Sequence, residues 1–252
     1  MTGTFAQLRH ETPFIARDGD TQSLHFSHGE VQSCMRLDRP DELQVDYTRT
    51  MMGFLLLHPQ PRSVALIGLG GGSLVKFCHR HLATTRLTVV EINPQVIALR
   101  RQFRIPDDDA RLSVLAADGG HWVREAPGRL DVLLVDGFDA GGQPPALCTQ
   151  VFYEDCFRAL SPGGVLVVNL HDDHPEHPQF LERIALAFRG NAMQVVSREK
   201  GNCVAFAGRR RPVTLQALRS LAWAAALAPQ AQRELRSEFA HIGWNACTLP
   251  HP

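Results

Sequence analysis

The chain has 252 residues, and its 26 lysines and arginines balance its 26 aspartates and glutamates, so that the formal net charge is zero. This length suffices for a main domain with a small appendage. A neutral chain lacks the excess positive charge that attracts nucleic acid or an anionic membrane surface. No apolar run approaches the roughly 20 residues that a membrane-spanning helix needs, and the six scattered cysteines form no C-x-x-C pair. We therefore expect a cytoplasmic protein with reduced thiols and with neither nucleic-acid nor membrane partners.

The N-terminal part of the chain, residues 1–45, is predicted to form a small β-hairpin appendage. Segments 23–26 and 31–37 are typical of extended strands, and the turn-forming residues 27–30 separate them. A main domain is predicted over residues 46–252.

Predicted helices and strands alternate along the main domain. A buried helix is predicted over 46–58, and the strands that follow are predicted over 64–67, 87–90, 112–116, 131–135 and 165–170. The helices between these strands are predicted over 73–81, 94–103, 121–125 and 150–160. Because the strands are continuous apolar runs, they are typical of a parallel sheet that is covered on both faces. The pattern predicts a doubly wound, Rossmann-like α/β fold.

The C-terminal part of the sequence completes this pattern. Strands predicted over 193–197 and 203–208 are joined by a short polar link that permits an antiparallel hairpin. A mostly parallel sheet closed by such a pair is typical of S-adenosylmethionine-type enzymes. Two further helices are predicted over 214–227 and 230–239.

The first strand of this domain runs directly into a glycine turn, Gly68-Leu69-Gly70-Gly71-Gly72-Ser73. Glycines let the backbone turn sharply and approach a ligand closely, and the helix that follows offers unpaired amides. The next strand ends in an acid, Glu91, which can accept hydrogen bonds from two ribose hydroxyls. This order of elements predicts a nucleoside-bearing cofactor, bound in part by Gly68, Gly70, Gly71 and Gly72. Ser73 takes the sixth position of G-x-G-x-x-G, which disfavours a nicotinamide cofactor.

Four carboxylates follow the ends of successive strands: Glu91, Asp118, Asp136 and Asp139. In doubly wound sheets the ligand lies at the carboxyl ends of the strands, so we expect these side chains around one crevice. We assign Glu91 to the ribose hydroxyls, and Asp118 with Gly119 to the adenine amino group. The alternative for Glu91 and Asp118 is a capping carboxylate at a loop–helix junction.

Several of these motifs in sequence order resemble the spermidine/spermine synthase (polyamine aminopropyltransferase) family over about residues 45–210. The shared order comprises the glycine turn, Glu91, Ala117-Asp118-Gly119, Asp136-Gly137-Phe138-Asp139, Phe152-Tyr153 and Leu160-Ser161-Pro162-Gly163-Gly164. The most specific part is Asp136-Gly137-Phe138-Asp139, which resembles the Asp-Ser-x-Asp catalytic loop of that family. The N-terminal β-appendage also fits it.

The resemblance implies transfer of an aminopropyl group from decarboxylated S-adenosylmethionine to an amine. Asp136 is then the base that binds and deprotonates the attacking amine, and Asp139 holds the other end of a diamine. Tyr47 resembles the tyrosine that lines the same pocket, although plain helix packing explains Tyr47 equally well. The implied partners are a small-molecule amine and a second copy of the chain in a homodimer.

The sequence departs from the family pattern at two positions that bear on the donor. Gly71 stands where the family's glycine turn carries an aspartate, and Arg49 replaces an acid in Tyr47-Thr48-Arg49. The loss of an acid and the gain of a cation favour a ligand with a carboxylate, so we hypothesise that the donor is intact S-adenosylmethionine. The chain resembles a divergent, spermidine-synthase-like branch. An S-adenosylmethionine-dependent methyltransferase and a non-catalytic cofactor-binding module remain as alternatives.

A histidine-rich segment over 171–177 also invites a metal-site interpretation. The segment lacks H-x-x-x-H spacing, and Pro175 interrupts any helix there. We interpret it as a polar loop near the acceptor pocket, and we expect no metal.

Overall fold

The computed structural model describes residues 11–27, 31–126, 128–139, 142–199 and 201–249. The turn predicted over 27–30 lies, apart from residue 27, outside the described residues.

The secondary structure follows the predicted alternation of strands and helices. The strands are β1 Phe14–Asp18, β2 Thr21–His25, β3 Ser33–Arg36, β4 Ser63–Ile67, β5 Arg86–Glu91, β6 Leu112–Ala116, β7 Leu130–Val135, β8 Leu160–His171, β9 Ala192–Val196, β10 Asn202–Gly208 and β11 Cys247–Thr248. The helices are α1 Asp46–Met51, α2 Phe54–Leu57, α3 Ser73–His81, α4 Pro94–Ala98, α5 Gly119–Glu125, α6 Gln150–Ala159, α7 His177–Ala187, α8 Leu215–Leu218, α9 Ala222–Ala226 and α10 Pro229–Asn245.

The main sheet has eight strands in the order β11-β9-β10-β8-β7-β4-β5-β6. Strands β4 to β8 pair in parallel, and β10 pairs antiparallel with both β8 and β9. The predicted doubly wound sheet and its closing hairpin are therefore confirmed. Strand β8 begins at Leu160, before the Pro-Gly-Gly sequence, and its pairing with β7 shifts register between Leu130 and Val132.

The sheet is buried on both faces, as its continuous apolar strands predict. In β4, Val64 and Leu66 belong to one core cluster, whereas Ala65 and Ile67 belong to the other. Successive side chains of a strand point to opposite faces, so each strand contributes to both layers. Each fully buried side chain of this size stabilises the fold by roughly 1.5–3 kcal/mol.

The N-terminal appendage is a three-stranded antiparallel sheet rather than the predicted hairpin. Strand β1 pairs with β2 through a turn at Gly19, whose φ of 53° is easily adopted by glycine, and β2 pairs with β3. Leu24 and Met35 are buried in the same core cluster as strands of the main sheet. The small sheet is thereby packed against the main sheet's layer of helices.

Two predicted helices are each divided into two shorter ones. The helix predicted over 46–58 breaks at Gly53, where a Cβ would lie 2.8 Å from both Phe206 and Ile242. The helix predicted over 214–227 is divided into α8 and α9. Among the described residues, no helix has both the length and the apolar character that crossing a membrane requires.

Candidate active site

The candidate ligand pocket lies where the order of the strands in the sheet changes direction along the chain. From β4 the chain proceeds to β5 and β6 on one side, and then returns to β7 and β8 on the other. The crevice between the carboxyl ends of β4 and β7 is the usual ligand site of such sheets. A pocket of about 340 Å³ opens there, and the loops after β4, β5, β6 and β7 line it.

Gly68 brings the first of these loops into direct contact with the loop after β7. Its φ is 94°, and a Cβ at this position would lie 2.2 Å from the carbonyl oxygen of Asp136. Any other residue would push the two strand ends apart. Gly68 and Gly70 line the pocket, as does Gly119, where a Cβ would lie 2.5 Å from Ile67.

Gly71 and Gly72 lie outside the wall of this pocket. A Cβ on Gly71 would lie 2.5 Å from the Oγ of Ser33, and one on Gly72 would lie 2.4 Å from Ile105. Gly72 thus serves close packing of the turn, whereas Gly71 also lines a small cavity next to the pocket, which Tyr47 and Asp136 line as well. The predicted part of both glycines in cofactor binding stays a prediction. Ser33 belongs to β3, so the N-terminal sheet occupies the space into which an aspartate at position 71 would extend.

Glu91 connects two of the loops that line the pocket. Its Oε2 accepts a hydrogen bond from the amide of Leu69 at 2.8 Å, and its Oε1 accepts one from the amide of Asn93 at 2.8 Å. The side chain is 7% exposed and lines the pocket. A carboxylate oxygen can accept more than one hydrogen bond, so these two bonds are compatible with a role of Glu91 in ligand binding.

Asp118 caps a helix and also lines the pocket. Its Oδ1 accepts a hydrogen bond from the amide of His121 at 2.7 Å at the start of α5. The capping alternative considered for Asp118 is thus present in the structure. A carboxylate has two oxygens, so capping leaves Oδ2 available to a ligand donor.

Asp136 is held between two side chains at the end of β7. The hydroxyl of Tyr47 donates to its Oδ2 at 3.3 Å, and the Nδ2 of Asn169 donates to its Oδ1 at 3.0 Å. Burial raises the pKa of the Asp136 carboxyl to about 6, although both hydrogen bonds lower it. Burial and the neighbouring Asp136 also raise the pKa of the Tyr47 phenol, so Tyr47 stays a donor. Tyr47 therefore faces the pocket, and it packs against the core as well.

Asp139 is at the exposed side of the same loop. Its amide donates to the carbonyl of Gly142 at 2.9 Å, and the amide of Gly142 donates back at 3.1 Å. Phe138 lies between the two aspartates in sequence and stacks on His171 with 4.6 Å between ring centroids. The histidine-rich segment thus contributes to the support of the pocket wall.

Arg49 does not face this pocket, which corrects our interpretation of it as a ligand-binding cation. Its guanidinium donates to the carbonyl oxygens of Leu43 and Gln44 and lies 3.3 Å from Oδ1 of Asp46. On a helix, residues two apart point in nearly opposite directions, so Tyr47 and Arg49 cannot share a face. This spacing could have revealed the error in the sequence.

Sequence reasoning missed several residues that complete the pocket. Gln32 directly precedes β3 of the N-terminal sheet, and Ile92 and Leu147 provide apolar walls. Ile92 directly follows Glu91. It is 41% exposed, which only the structure reveals and the sequence does not. No local pattern in the sequence indicates that the N-terminal sheet reaches this pocket.

The charge of the pocket is strongly one-sided. Five carboxylates line its described part: Glu11, Glu91, Asp118, Asp136 and Asp139. No lysine, arginine or histidine lines it among the residues that the structure describes. A site of this composition favours ligands that carry several positive charges.

The strand order and the pocket at the reversal define a Rossmann-like fold of the S-adenosylmethionine type. A probable spermidine synthase from Corynebacterium glutamicum shares this fold, with a TM-score of 0.66 at 22% identity over 78% of this chain and 76% of that one. Human methyltransferase-like protein 13, solved in complex with SAH, gives a TM-score of 0.64 at 26% identity over 77% of this chain and 93% of that one.

Sequence comparison identifies the family within this class. Residues 44–199 match the spermine/spermidine synthase domain. The polyamine aminopropyltransferase of Chromobacterium violaceum is 40% identical over 203 residues, which cover 80% of this chain and 78% of that protein. The chain belongs to the spermine/spermidine synthase family, and the resemblance seen in its motifs is confirmed.

Proposed function

We propose that this protein transfers an aminopropyl group from decarboxylated S-adenosylmethionine to an amine of a polyamine. The observation that carries the proposal is the pocket with five carboxylates and no basic side chain among its described lining residues. Both substrates are cations, since the donor has a sulfonium and an ammonium and a polyamine has at least two ammonium groups. Membership of the spermine/spermidine synthase family supports the same reaction.

The choice of the decarboxylated donor follows from the charges. Intact S-adenosylmethionine carries an additional carboxylate, and burial of an unpaired carboxylate among other carboxylates is costly. Arg49 was the cation expected to pair with it, but Arg49 is bonded to Asp46 and to backbone carbonyls. The hypothesis that the donor is intact S-adenosylmethionine thus loses one of its two supports, and only the glycine at position 71 still favours it.

On the nucleoside side of the pocket we assign the roles that the sequence suggested. Glu91 accepts hydrogen bonds from the ribose hydroxyls, and Asp118 accepts one from the adenine amino group. Gly68, Gly70 and Gly119 permit close approach of the ligand to the backbone. The apolar side chains of Ile92 and Leu147 supply contact area for the adenine ring.

On the acceptor side we assign Asp136 as the general base and Asp139 as the group that binds the distant ammonium. With a pKa of about 6, the Asp136 carboxyl is mostly ionised at pH 7–8 and remains basic enough to take a proton. The attacking nitrogen loses a proton to Asp136 and forms a bond to the aminopropyl carbon that is attached to sulfur. That carbon–sulfur bond breaks, and its electron pair returns to sulfur, which leaves as neutral methylthioadenosine. Tyr47 and Asn169 orient the base.

A methyltransferase is the second candidate, and two observations favour it. The 26% identical human protein is a methyltransferase-like protein, and position 71 lacks the aspartate that the family's glycine turn usually carries. Such an enzyme would take the intact donor.

The discriminating experiment offers each donor separately with putrescine, cadaverine and spermidine, and detects products by mass spectrometry. We expect methylthioadenosine and an amine lengthened by one aminopropyl group only with the decarboxylated donor. S-adenosylhomocysteine formed from the intact donor, with no lengthened amine from either, would overturn the proposal in favour of a methyltransferase. Binding of a donor without turnover of either would indicate the non-catalytic module.

A further inference from the structure

We infer that Asn169 is a positioning residue for the base: its side-chain amide, oriented by Asn202, holds the carboxylate of Asp136 toward the incoming amine. This inference rests on the proposed function, because it assigns the control of the same base. It adds the hairpin strand β10, which lies beyond the residues 44–199 that match the family domain, to the parts that determine activity.

The contact between Asn169 and the base is direct and buried. Asn169 lies near the end of β8, adjacent to β7 and the loop that carries Asp136, and is only 2% exposed. Its Nδ2 donates to Oδ1 of Asp136 at 3.0 Å. This bond is shorter than the 3.3 Å bond from the Tyr47 hydroxyl to Oδ2. Asn169 is therefore the stronger of the two side-chain donors to the base.

Asn202 supports the orientation in which the NH₂ end of the Asn169 amide faces the base. The Nδ2 of Asn202 donates to Oδ1 of Asn169 at 3.0 Å, from the adjoining antiparallel strand. An amide has one accepting and one donating end, so this bond leaves the NH₂ group of Asn169 directed at Asp136. With the amide reversed, its oxygen would face a carboxylate oxygen and its NH₂ group would face another NH₂ group. The pair of asparagines thus specifies one orientation.

The main chain of Asn169 also supports the wall of the pocket. The Nε2 of Gln143 donates to the carbonyl oxygen of Asn169 at 3.0 Å. Gln143 precedes Pro144 and Leu147, which line the pocket. One residue thereby contacts the base through its side chain and the pocket loop through its backbone.

The charged surroundings explain why a neutral donor matters here. The other titratable groups that line the described pocket are Tyr47, Glu11, Glu91, Asp118 and Asp139. Tyr47 is neutral and donates, whereas the four carboxylates disfavour a further negative charge. In the absence of a cation among the described lining residues, the hydrogen bonds from Asn169 and Tyr47 are what stabilise the ionised form of Asp136.

The test compares Asn169→Leu, which removes the donor but keeps the number and branching of the side-chain heavy atoms, with wild type. We expect the acidic limb of the kcat/KM profile for aminopropyl transfer to shift upward by about one pH unit. The isosteric variant Asn169→Asp keeps the shape and replaces the donor by an acid, so its shift is expected to be larger. The Asn169→Asp variant also provides the test if the leucine variant fails to fold.

Two further variants separate positioning from general support of the fold. Asn202→Ala leaves every atom near Asp136 in place but releases the Asn169 amide, so we expect a smaller shift in the same direction. Gln143→Ala is the matched control, because it loses only the bond to the Asn169 main chain. We expect its acidic limb to stay where it is in wild type.

A direct titration keeps this inference distinguishable from the proposed function. The ¹³C chemical shift of the Asp136 carboxyl, followed by NMR against pH, reports its ionisation whether or not the enzyme turns over. Upward shifts in the Asn169 and Asn202 variants support the inference, even if wild type transfers no aminopropyl group. An unchanged titration in Asn169→Leu and Asn169→Asp overturns it, even if wild type is active.

Discussion

The two sides of the pocket hold their carboxylates by different means. On the side that we assign to the nucleoside, Glu91 accepts hydrogen bonds from the amides of Leu69 and Asn93, and Asp118 accepts one from the amide of His121. On the side that we assign to the acceptor, Asp136 accepts hydrogen bonds from the side chains of Tyr47 and Asn169.

This difference corresponds to two chemical tasks. A backbone amide stays in place when a side chain is mutated, because the fold fixes its position. The two amide donors to Glu91 therefore hold its carboxylate in one position, where it connects two loops. Side-chain donors can be varied without change to the fold, and they leave the pKa of Asp136 raised to about 6 by burial. The first arrangement suits binding, and the second suits a base whose proton affinity must match its reaction.

The largest expected effect comes from removal of the base. Asp136→Asn should lower kcat for aminopropyl transfer by roughly 10²–10⁴-fold, the usual contribution of a general base. Methylthioadenosine should still bind, because its expected contacts lie on the other side of the pocket; calorimetry measures this. Turnover at the wild-type rate would remove Asp136 from the mechanism.

The same variant should also stabilise the fold at neutral pH. The pKa of Asp136 is higher in the folded chain than its ordinary value of 3.8, so its contribution to stability is present below pH 3.8 and is lost as pH rises through about 6. Asp136→Asn should therefore raise the free energy of unfolding at pH 8 by about 1–2 kcal/mol, discounted for access from the pocket. The gain should vanish toward pH 4 in denaturant titrations.

A smaller effect is expected on the nucleoside side. Glu91→Ala should weaken methylthioadenosine binding by about 1–3 kcal/mol, since the proposed acceptor for both ribose hydroxyls is lost. It should also destabilise the fold, because the amides of Leu69 and Asn93 lose their partner. Glu91→Gln retains one acceptor oxygen and should lie between alanine and wild type, as calorimetry and thermal melting can show.

Tyr47→Phe should have a milder consequence. It removes the longer hydrogen bond to Asp136, so the pKa of the base rises and the acidic limb of the kcat/KM profile moves up by less than in Asn169→Leu. We expect a loss of less than about twofold in kcat/KM near pH 7, because a pKa that rises from about 6 by less than one unit leaves more than half of the Asp136 carboxyl ionised there. A larger shift than in Asn169→Leu would reverse the ranking of the two donors.

The smallest effect on activity is expected for a change at Lys76, whose side chain hydrogen-bonds to a backbone carbonyl. Its Nζ is buried and donates to the carbonyl of Phe103 at 2.9 Å, beside the glycine turn, and burial lowers its pKa from 10.5 to about 8. The folded chain thus releases this proton more readily, so stability should increase as pH rises from 8 to 10.5. In Lys76→Met, the rise of the free energy of unfolding with pH should be smaller by up to about 1.4 kcal/mol per pH unit, as unfolding titrations can measure. The acidic limb of the kcat/KM profile should stay unchanged.

Sequence alone predicted the parts of the fold that have a strong local signal. The apolar runs of β4 to β8 are long enough to distinguish buried strands, and the glycine turn marks where the first one ends. Helix α7 was missed because the segment that leads into it was interpreted as a polar loop interrupted by Pro175; α7 begins at His177, and Pro178 stands in its first turn, which suits proline. The break at Gly53 was also missed; that this position has room only for glycine is set by Phe206 and Ile242, which are distant in sequence.

For the site, residue types were easier to predict than their directions. Glu91, Asp118, Asp136 and Asp139 were placed correctly around one pocket, because strand ends meet at one edge of a parallel sheet. The hydrogen-bond donors that reach each carboxylate depend on which strands lie next to one another. Asn202 reaches Asn169 only because β10 pairs with β8, a pairing that no local pattern specifies.

Gly68 has a consequence for how molecules reach and leave the pocket. Its missing side chain lets the turn after β4 rest against the carbonyl of Asp136, and the amide of Asp136 donates to Ile67 at 2.9 Å. These contacts close the floor of the crevice between the two strands. We therefore expect substrates and products to enter and leave on the opposite side, and among the described lining residues we take Gln32, just before β3, and Leu147, before α6, as the rim of that side. Changes in that rim should alter rates of entry and release, while the bonds around the base stay intact.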